Sequence, residues 1–572
     1  MPMKYIFYAL SVFGLLFAQD KNSPVCEKSK STEHHREIFL ENQTNEENDD
    51  DEILVSQTKA VILYGDMKDI PKKERPAKGL IIKNLNIPGS YGKLKKILEP
   101  IFYDKPLTKQ LIEKIKHEII IYYRSNKRSI VTVLVPPQEI TYGVLHLIVI
   151  ESRIEKINVE GNKYFTRNDI LKNINLYPGD MIDIDKLLSD VAWMNRNPFR
   201  AINVLLSPGE AKRTTDIDLI VRDRYFFRPY MGGENSGTRY TSRERLLFGF
   251  NFCNPSSIGN LFSYQFTSSL NFHKYYAHTA NYTALLPWKN VLSAYGGFSK
   301  VHPDIPGLNS NGKSAQVSLR YAFPIGSLHK QPQQDFHLGF DYKFMNNNLM
   351  TAENTSQTKV ASTADLFQLV TGYKLDYGTN RDNILFLCDV FTSPWKFLWH
   401  QKKSYYDQLR PGAKPRYIYF KLGFEEEHTF KKNWKISFKL RGQASLNNLL
   451  PSEEFDLGGE DTVRGYENRW VNRDNAFCAN LEIKAPPIGI LKYINKKFDD
   501  KFTILTFLDF GYGIDHKKEP MDTGQQSLMG GGCGFRYSIA QNFSVKFDWG
   551  IPLFRVLDKD NQQIYLQAFL SY

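Results

Sequence analysis

Gly458-Gly459-Glu460-Asp461-Thr462-Val463-Arg464-Gly465-Tyr466-Glu467-Asn468-Arg469-Trp470 lies between two runs that alternate apolar and polar residues. That placement makes it a long loop joining two β-strands, and such loops ordinarily face water. Two adjacent glycines, a third at 465 and an arginine set among Val463, Gly465 and Tyr466 instead suit a backbone folded tightly against other protein. Arg464 then needs a carboxylate partner. Phe507-Leu508-Asp509-Phe510-Gly511 offers one, a single acid in an otherwise uncharged strand. Alternation places Phe507, Asp509 and Gly511 on one face, with Ile504, Leu508 and Phe510 on the other. An isolated aspartate inside a strand costs free energy unless it is paired or hydrated, and a guanidinium matches a carboxylate with two prongs.

At 572 residues the chain is too long for one compact core, so two or more domains are expected. After the N-terminus no run approaches the roughly 18 to 20 consecutive apolar residues of a membrane helix. A membrane location would therefore require a closed barrel. The net charge of +12 is scattered among acids, with no basic helix and no zinc-type spacing, so nucleic acid is not an expected partner. Cys26, Cys253, Cys388, Cys478 and Cys533 are odd in number, far apart and never in a C-x-x-C pair, which argues against a disulfide framework or a metal site.

Read in order, residues 1–18 have the charged start and short apolar run of a signal peptide. Residues 19–78 are polar and charge-mixed, with an acidic run from Glu46 to Glu52, and read as a linker. From 79 to 153 the pattern is a small α/β unit: a strand at Leu80–Leu85, helices at Leu94–Phe102 and Leu107–Tyr123, then strands at Ser129–Val135 and Val144–Ile150. A second such unit covers 154–226, with helices beginning at Thr166 and Asp183. From 227 to 572 the period is two. Ile418, Phe420, Leu422 and Phe424 oppose Tyr419, Lys421, Gly423 and Glu425, and the run from Lys435 splits likewise, as expected of a lipid face and a wet lumen face. At roughly 9 to 11 residues per tilted strand this region holds about sixteen strands.

The sequence carries no recognisable catalytic motif. Pro88-Gly89-Ser90-Tyr91-Gly92 lacks the first glycine of a nucleophile elbow, and no H-E-x-x-H is present. The run Met529-Gly530-Gly531-Gly532-Cys533-Gly534 lacks the Lys-Ser/Thr ending of a phosphate loop. It reads instead as a barrel wall that curves tightly or admits a lumenal loop. No catalytic residue, metal ligand or cofactor is expected.

The two opening segments resemble the V-R-G-Y/F loop and the F-x-D-x-G strand of the outer-membrane superfamily in which POTRA domains precede a β-barrel. Pro136-Pro137-Gln138-Glu139-Ile140-Thr141-Tyr142-Gly143 is similar to the P-P-Q-x-(I/L)-x-x-G signature of one branch, the two-partner secretion transporters of the haemolysin activation and secretion family. Asn195-Arg196-Asn197-Pro198-Phe199-Arg200 is similar to that branch's L-N-x-x-P-x-R segment. The resemblance implies two POTRA domains, at 79–153 and 154–226, before a transmembrane antiparallel barrel at 227–572. It also implies an N-terminal plug helix, for which Glu52–Tyr64 is the candidate. The expected function is capture of one unfolded exoprotein by periplasmic POTRA domains and its passage through an outer-membrane barrel. Expected partners are that secreted protein, outer-membrane lipid and periplasmic chaperones. Val463, Arg464, Gly465 and Tyr466 would form the lumenal loop, and Phe507, Asp509 and Gly511 the wall that receives it. Pro136, Pro137, Gln138 and the neighbouring strand edge are the cargo-binding candidates. A barrel-assembly factor of the same superfamily, or a passive porin, stays open as the alternative.

Overall fold

The computed structural model describes residues 52–71, 75–140, 142–255, 259–305, 308–351, 359–491, 499–518, 523–554 and 562–572, and for 305, 308–310, 347–351 and 359–361 the backbone alone. The expected signal peptide, Cys26 and the acids 46–51 lie outside these residues. Two compact units divide the chain, one within residues 52–223 and the other formed mainly by residues from Arg224 onward.

The first unit contains two small α/β domains. In the first domain β1 (Ala60–Tyr64), β2 (Gly79–Lys83), β3 (Val131–Leu134) and β4 (Val144–Glu151) form a sheet in the order β2-β1-β4-β3. Helices α1 (Tyr91–Phe102) and α2 (Lys109–Ser125) cover one face, burying Leu94, Leu98, Phe102, Ile115 and Ile119 against Val61, Leu63 and Leu145. The Thr108 hydroxyl accepts from Leu111 N and so starts α2.

This corrects the expected linker and plug helix. Ile53–Val55 is a strand paired with Leu107–Thr108, and β1 is the sheet's interior, parallel to β2 on one side and β4 on the other. A parallel strand covered on both faces is a continuous apolar run without alternation, and all five residues of β1 are buried. Short polar flanks hid that run. The first domain therefore starts near residue 53, not 79.

The second domain repeats the plan with three strands, β5 (Arg153–Glu160), β6 (Arg200–Pro208) and β7 (Thr214–Asp223), in the order β5-β7-β6. Its helices are α3 (Arg167–Leu171) and α4 (Ile184–Met194), capped by Thr166 and Asp183.

The second unit is a closed antiparallel barrel of sixteen strands. They are β8 (Phe227–Glu234), β9 (Arg245–Cys253), β10 (Leu261–Ser268), β11 (Tyr275–Leu285), β12 (Val291–Val301), β13 (Leu308–Ile325), β14 (Gln333–Thr351) and β15 (Lys359–Gly378). The wall continues with β16 (Asp382–Ser393), β17 (Tyr417–Thr429), β18 (Lys435–Ser445), β19 (Asn475–Lys484), β20 (Asp500–Ile514), β21 (Gln525–Ile539), β22 (Phe543–Pro552) and β23 (Gln563–Ser571). β23 pairs back onto β8 from Tyr230↔Ser571 to Glu234↔Gln567. At the rim where β8 starts the turns are short, such as 286–290 and 430–434. At the far rim the connections include 394–416, which carries helix α5 (Lys403–Leu409), and 446–474. The period-two expectation holds on β17, where Phe420 and Leu422 are exposed on the outer wall and Tyr417 and Tyr419 are buried inside.

Candidate functional site

The connection 446–474 does not stay at the rim. A short ribbon, Phe455–Leu457 paired with Val471–Arg473, carries its tip back into the lumen against β19 to β23. Gly458, Gly459 and Gly465 have φ of 98°, 107° and 102°, and these left-handed turns let the tip fold on itself. Val463 is fully buried, and Tyr466 is buried with its hydroxyl donating to the Met529 and Phe554 carbonyls at 3.0 and 2.5 Å. The Tyr565 hydroxyl donates to Tyr466 O and accepts from Gly465 N.

Arg464 is 3% exposed and Asp509 is fully buried. The guanidinium grips that carboxylate through Nε to Oδ2 at 2.7 Å and Nη2 to Oδ1 at 2.8 Å, and Arg464 N donates to Oδ2 at 3.1 Å. Nη1 reaches Glu482 at 2.7 Å and Asp548 at 3.5 Å, while the guanidinium lies 3.5 Å above the Phe507 ring. The structure thus brings together Val463, Arg464, Gly465 and Tyr466 with Phe507, Asp509 and Gly511. It adds Glu482, Asp548 and Asn480, whose Nδ2 holds both Asp509 and the Thr462 carbonyl. Arg536 closes the charge set by a two-pronged bond to Asp548. The signal for these was in the alternation: Asn480, Glu482 and Asp548 all occupy the polar phase of their strands.

Glycines on the wall make the floor for this tip. A Cβ on Gly530 would lie 1.7 Å from the Arg464 carbonyl oxygen, and one on Gly511 2.8 Å from Val463 Cγ2. The final Gly of the F-x-D-x-G strand therefore makes room for the Val of the loop. Gly530→Ala should expel the tip while the strand itself persists, so that a cysteine at 463, shielded in the parent chain, reacts with a maleimide in the folded barrel. A cysteine at 463 that stays shielded would remove the close-approach role.

A second buried cluster at the far rim was not legible from the motifs. Arg410, 4% exposed, bonds Asp474 through both terminal nitrogens at 2.6 and 3.0 Å, Asp515 at 3.0 Å and Glu454 at 2.9 Å. Asp474 also accepts from Leu449 N and His516 N, and the Asn448 amide pairs with both backbone groups of Lys517. Three connections are thereby tied together: 394–416, 446–474 and the segment after Ile514. Beneath the knot Tyr406, Leu409 and Ala413 pack with Leu449, Leu450 and the inner faces of β14 to β17.

In the α/β unit, Pro136, Pro137 and Gln138 form the turn after β3. Continuing the register beyond Leu134↔Ile148 sets Pro136 opposite His146, and proline has no N–H to give that rung. The Gln138 amide supplies it, Nε2 donating to His146 O at 2.9 Å and Oε1 accepting from His146 N at 2.7 Å. Asn195 braces Ile202 on β6 in the same way. Of the three candidates Pro136 is buried, Pro137 is exposed and the Gln138 amide is engaged within the fold. Beneath them the Tyr64 phenol, raised above its usual range first by burial and then by Asp69, stays neutral and shares a hydrogen bond with His146 Nδ1.

Residues 214–537 match the family described as haemolysin secretion/activation protein ShlB/FhaC/HecB. The chain belongs to that family. Residues 152–224 match the POTRA family, described as surface antigen variable number repeat. The heme/hemopexin transporter protein HuxB of Haemophilus influenzae is 21% identical over 81% of each chain. The outer membrane transporter CdiB of Dickeya dadantii is 20% identical over 81% of this chain and 80% of its own. Among solved structures, CdiB from Escherichia coli superposes with a TM-score of 0.72 at 15% identity, covering 93% of both chains. CdiB from Acinetobacter baumannii gives 0.60 at 16%, covering 91% of this chain and 90% of its own. As a ShlB/FhaC/HecB member the chain is an outer-membrane two-partner secretion transporter, with its POTRA region in the periplasm and a secreted exoprotein as its partner. The rim where β8 starts is then the periplasmic one.

Proposed function

We propose that the first α/β domain is a second POTRA module, and that the partner is one large exoprotein captured in extended form on the outer edge of β3. The observation that carries this reading is the state of the sheet edges. On β2, Leu80 N donates to Glu99 and Leu80 O accepts from the Tyr91 hydroxyl, so that edge is covered. On β5, Ile154 pairs with Asp180 and Gly179, and on β6 Asn195 occupies Ile202. Along the outer edge of β3 no backbone or side-chain group pairs among the described residues, and Leu134 and Val135 are exposed beside it. An open edge is a template for an added strand. Gln138 then holds the turn that frames this edge, and Pro137 forms its lip.

The captured chain passes through the lumen to the far rim, where folding outside removes extended chain and biases movement outward. Trp395, Phe397 and Trp399, exposed at that rim, are suited to the lipid head-group region. Deleting the gene tests the reading: one large protein should disappear from the culture medium while the other outer-membrane barrels keep their levels. Depletion of many barrels would overturn it in favour of an assembly factor. Lysines at Thr132 and Leu134, both exposed, should weaken binding of the missing protein roughly tenfold, about 1.4 kcal/mol, without affecting the barrel. Unchanged binding would clear β3 of the role.

A further inference from the structure

Lumen-facing residues pair with lumen-facing residues on the next strand, so the position of Asp509 fixes the inward set on every strand of the closed wall. From β14 round to β22 that set is heavily charged, including Asp341, Lys343, Lys421, Glu482, Asp509 and Asp548. On β10, β11 and β12 it contains no Lys, Arg, Asp, Glu or His. Ser263, Gln265, Thr267, Thr279, Asn281 and Thr283 face inward there, while His278 and Lys300 fall in the outward phase.

The two walls also differ in how they are covered. Asp341, Glu482, Asp509 and Asp548 are engaged by partners within the fold, and loops pack over much of that wall. The six neutral residues are half-exposed. Tyr230 donates to Gln265, whose amide donates to Thr267, and Ser263 donates to Asn251, so the surface is a neutral hydrogen-bonding net. The Tyr295 hydroxyl, in the inward phase of β12, has no partner among the described residues.

We propose that this wall is the track along which the exported chain slides, and that it fits an extended polypeptide poor in charge and rich in hydroxyl, amide and glycine residues. This rests on the transport reading above. Passage through a pore requires contacts that hold weakly at many points and trap at none. Neutral hydroxyls and amides exchange partners with water at little net gain, whereas a fixed charge forms stronger charge-assisted bonds.

The test uses the full chain in its own outer membrane and, as probe, the protein whose export the deletion abolishes. Thr279→Asp and Thr279→Lys should each slow export at least tenfold, and Thr279→Asn should stay within twofold of wild type. The same two charges at Gly423, on the inner face of β17 where a Cβ meets only ordinary contacts, should also stay within twofold. Gln265→Glu and Gln265→Lys repeat the comparison should a Thr279 variant fail to give a folded barrel. Wild-type export by the charged track variants, slowing by one sign only, or equal slowing from Gly423 would overturn the track. If the deletion removes no exported protein at all, it is the transport reading that fails.

Discussion

Replacing Arg464 with alanine should stop export while the barrel still inserts. The guanidinium is buried and satisfies Asp509, Glu482 and Asp548, two of which are fully buried themselves. Removing one member of a buried, hydrogen-bonded charge set leaves the others uncompensated, at a cost on the order of 3 to 5 kcal/mol. The hairpin tip pays that cost locally, because no barrel rung depends on it: the rungs between β19, β20 and β21 are backbone pairs. Lysine should not rescue, since a single ammonium cannot reproduce the two-pronged bond to Asp509 together with the reach to Glu482. Exchanging the two residues, Arg464→Asp with Asp509→Arg, should fail as well, because Asp509 also accepts from Arg464 N and Asn480 Nδ2. Export assays beside heat-modifiability gels of outer membranes check this. A fully active Arg464→Ala transporter would deprive the docked hairpin of its role.

The second large effect is expected at Arg410. One guanidinium there faces Glu454, Asp474 and Asp515, so its removal leaves three carboxylates crowded at the far rim. Asp474 keeps its two backbone donors and stays in place. Helix α5 then keeps the Tyr406 hydroxyl bond to Asp365 O and its apolar packing on β14 to β17, but loses its charged tie to 446–474 and to the segment after Ile514. Arg410→Ala in planar bilayers should therefore show larger and more frequent open states than wild type. Arg410→Lys, with one charge but no fork, should fall between. Identical conductance in all three would mean that the knot closes nothing.

Much of this site could be read before any coordinates, and the reason is geometric. Arg464 and Asp509 announce themselves because each breaks a local rule, a buried-looking arginine in a loop and a lone acid in an apolar strand. Glu482 and Asp548 break no rule. A charge in the lumen phase of a barrel strand is ordinary, and nothing in one strand says which loop will lie over it. Arg410 was invisible for the same reason, its partners lying 44 to 105 positions away in two other connections that only the closed barrel brings together. β1 was missed because alternation, the signal that exposed barrel strands such as β17 and β18, is absent from a strand buried on both faces. Gln138 was read from its resemblance as a surface contact, and only the register of β3 on β4 reveals that it completes a rung that Pro136 cannot.

The measurement closest to the central claim is whether the hairpin tip rests on the lumenal wall in the living membrane. Val463 and Gly511 are in contact distance, a Cβ at 511 falling 2.8 Å from Val463 Cγ2. The Val463→Cys, Gly511→Cys variant should form a reducible disulfide in intact cells, and Val463→Cys alone should resist a membrane-impermeant maleimide added from outside. No cross-link, together with ready labelling of position 463 from the medium, would place the tip outside the barrel and contradict the account.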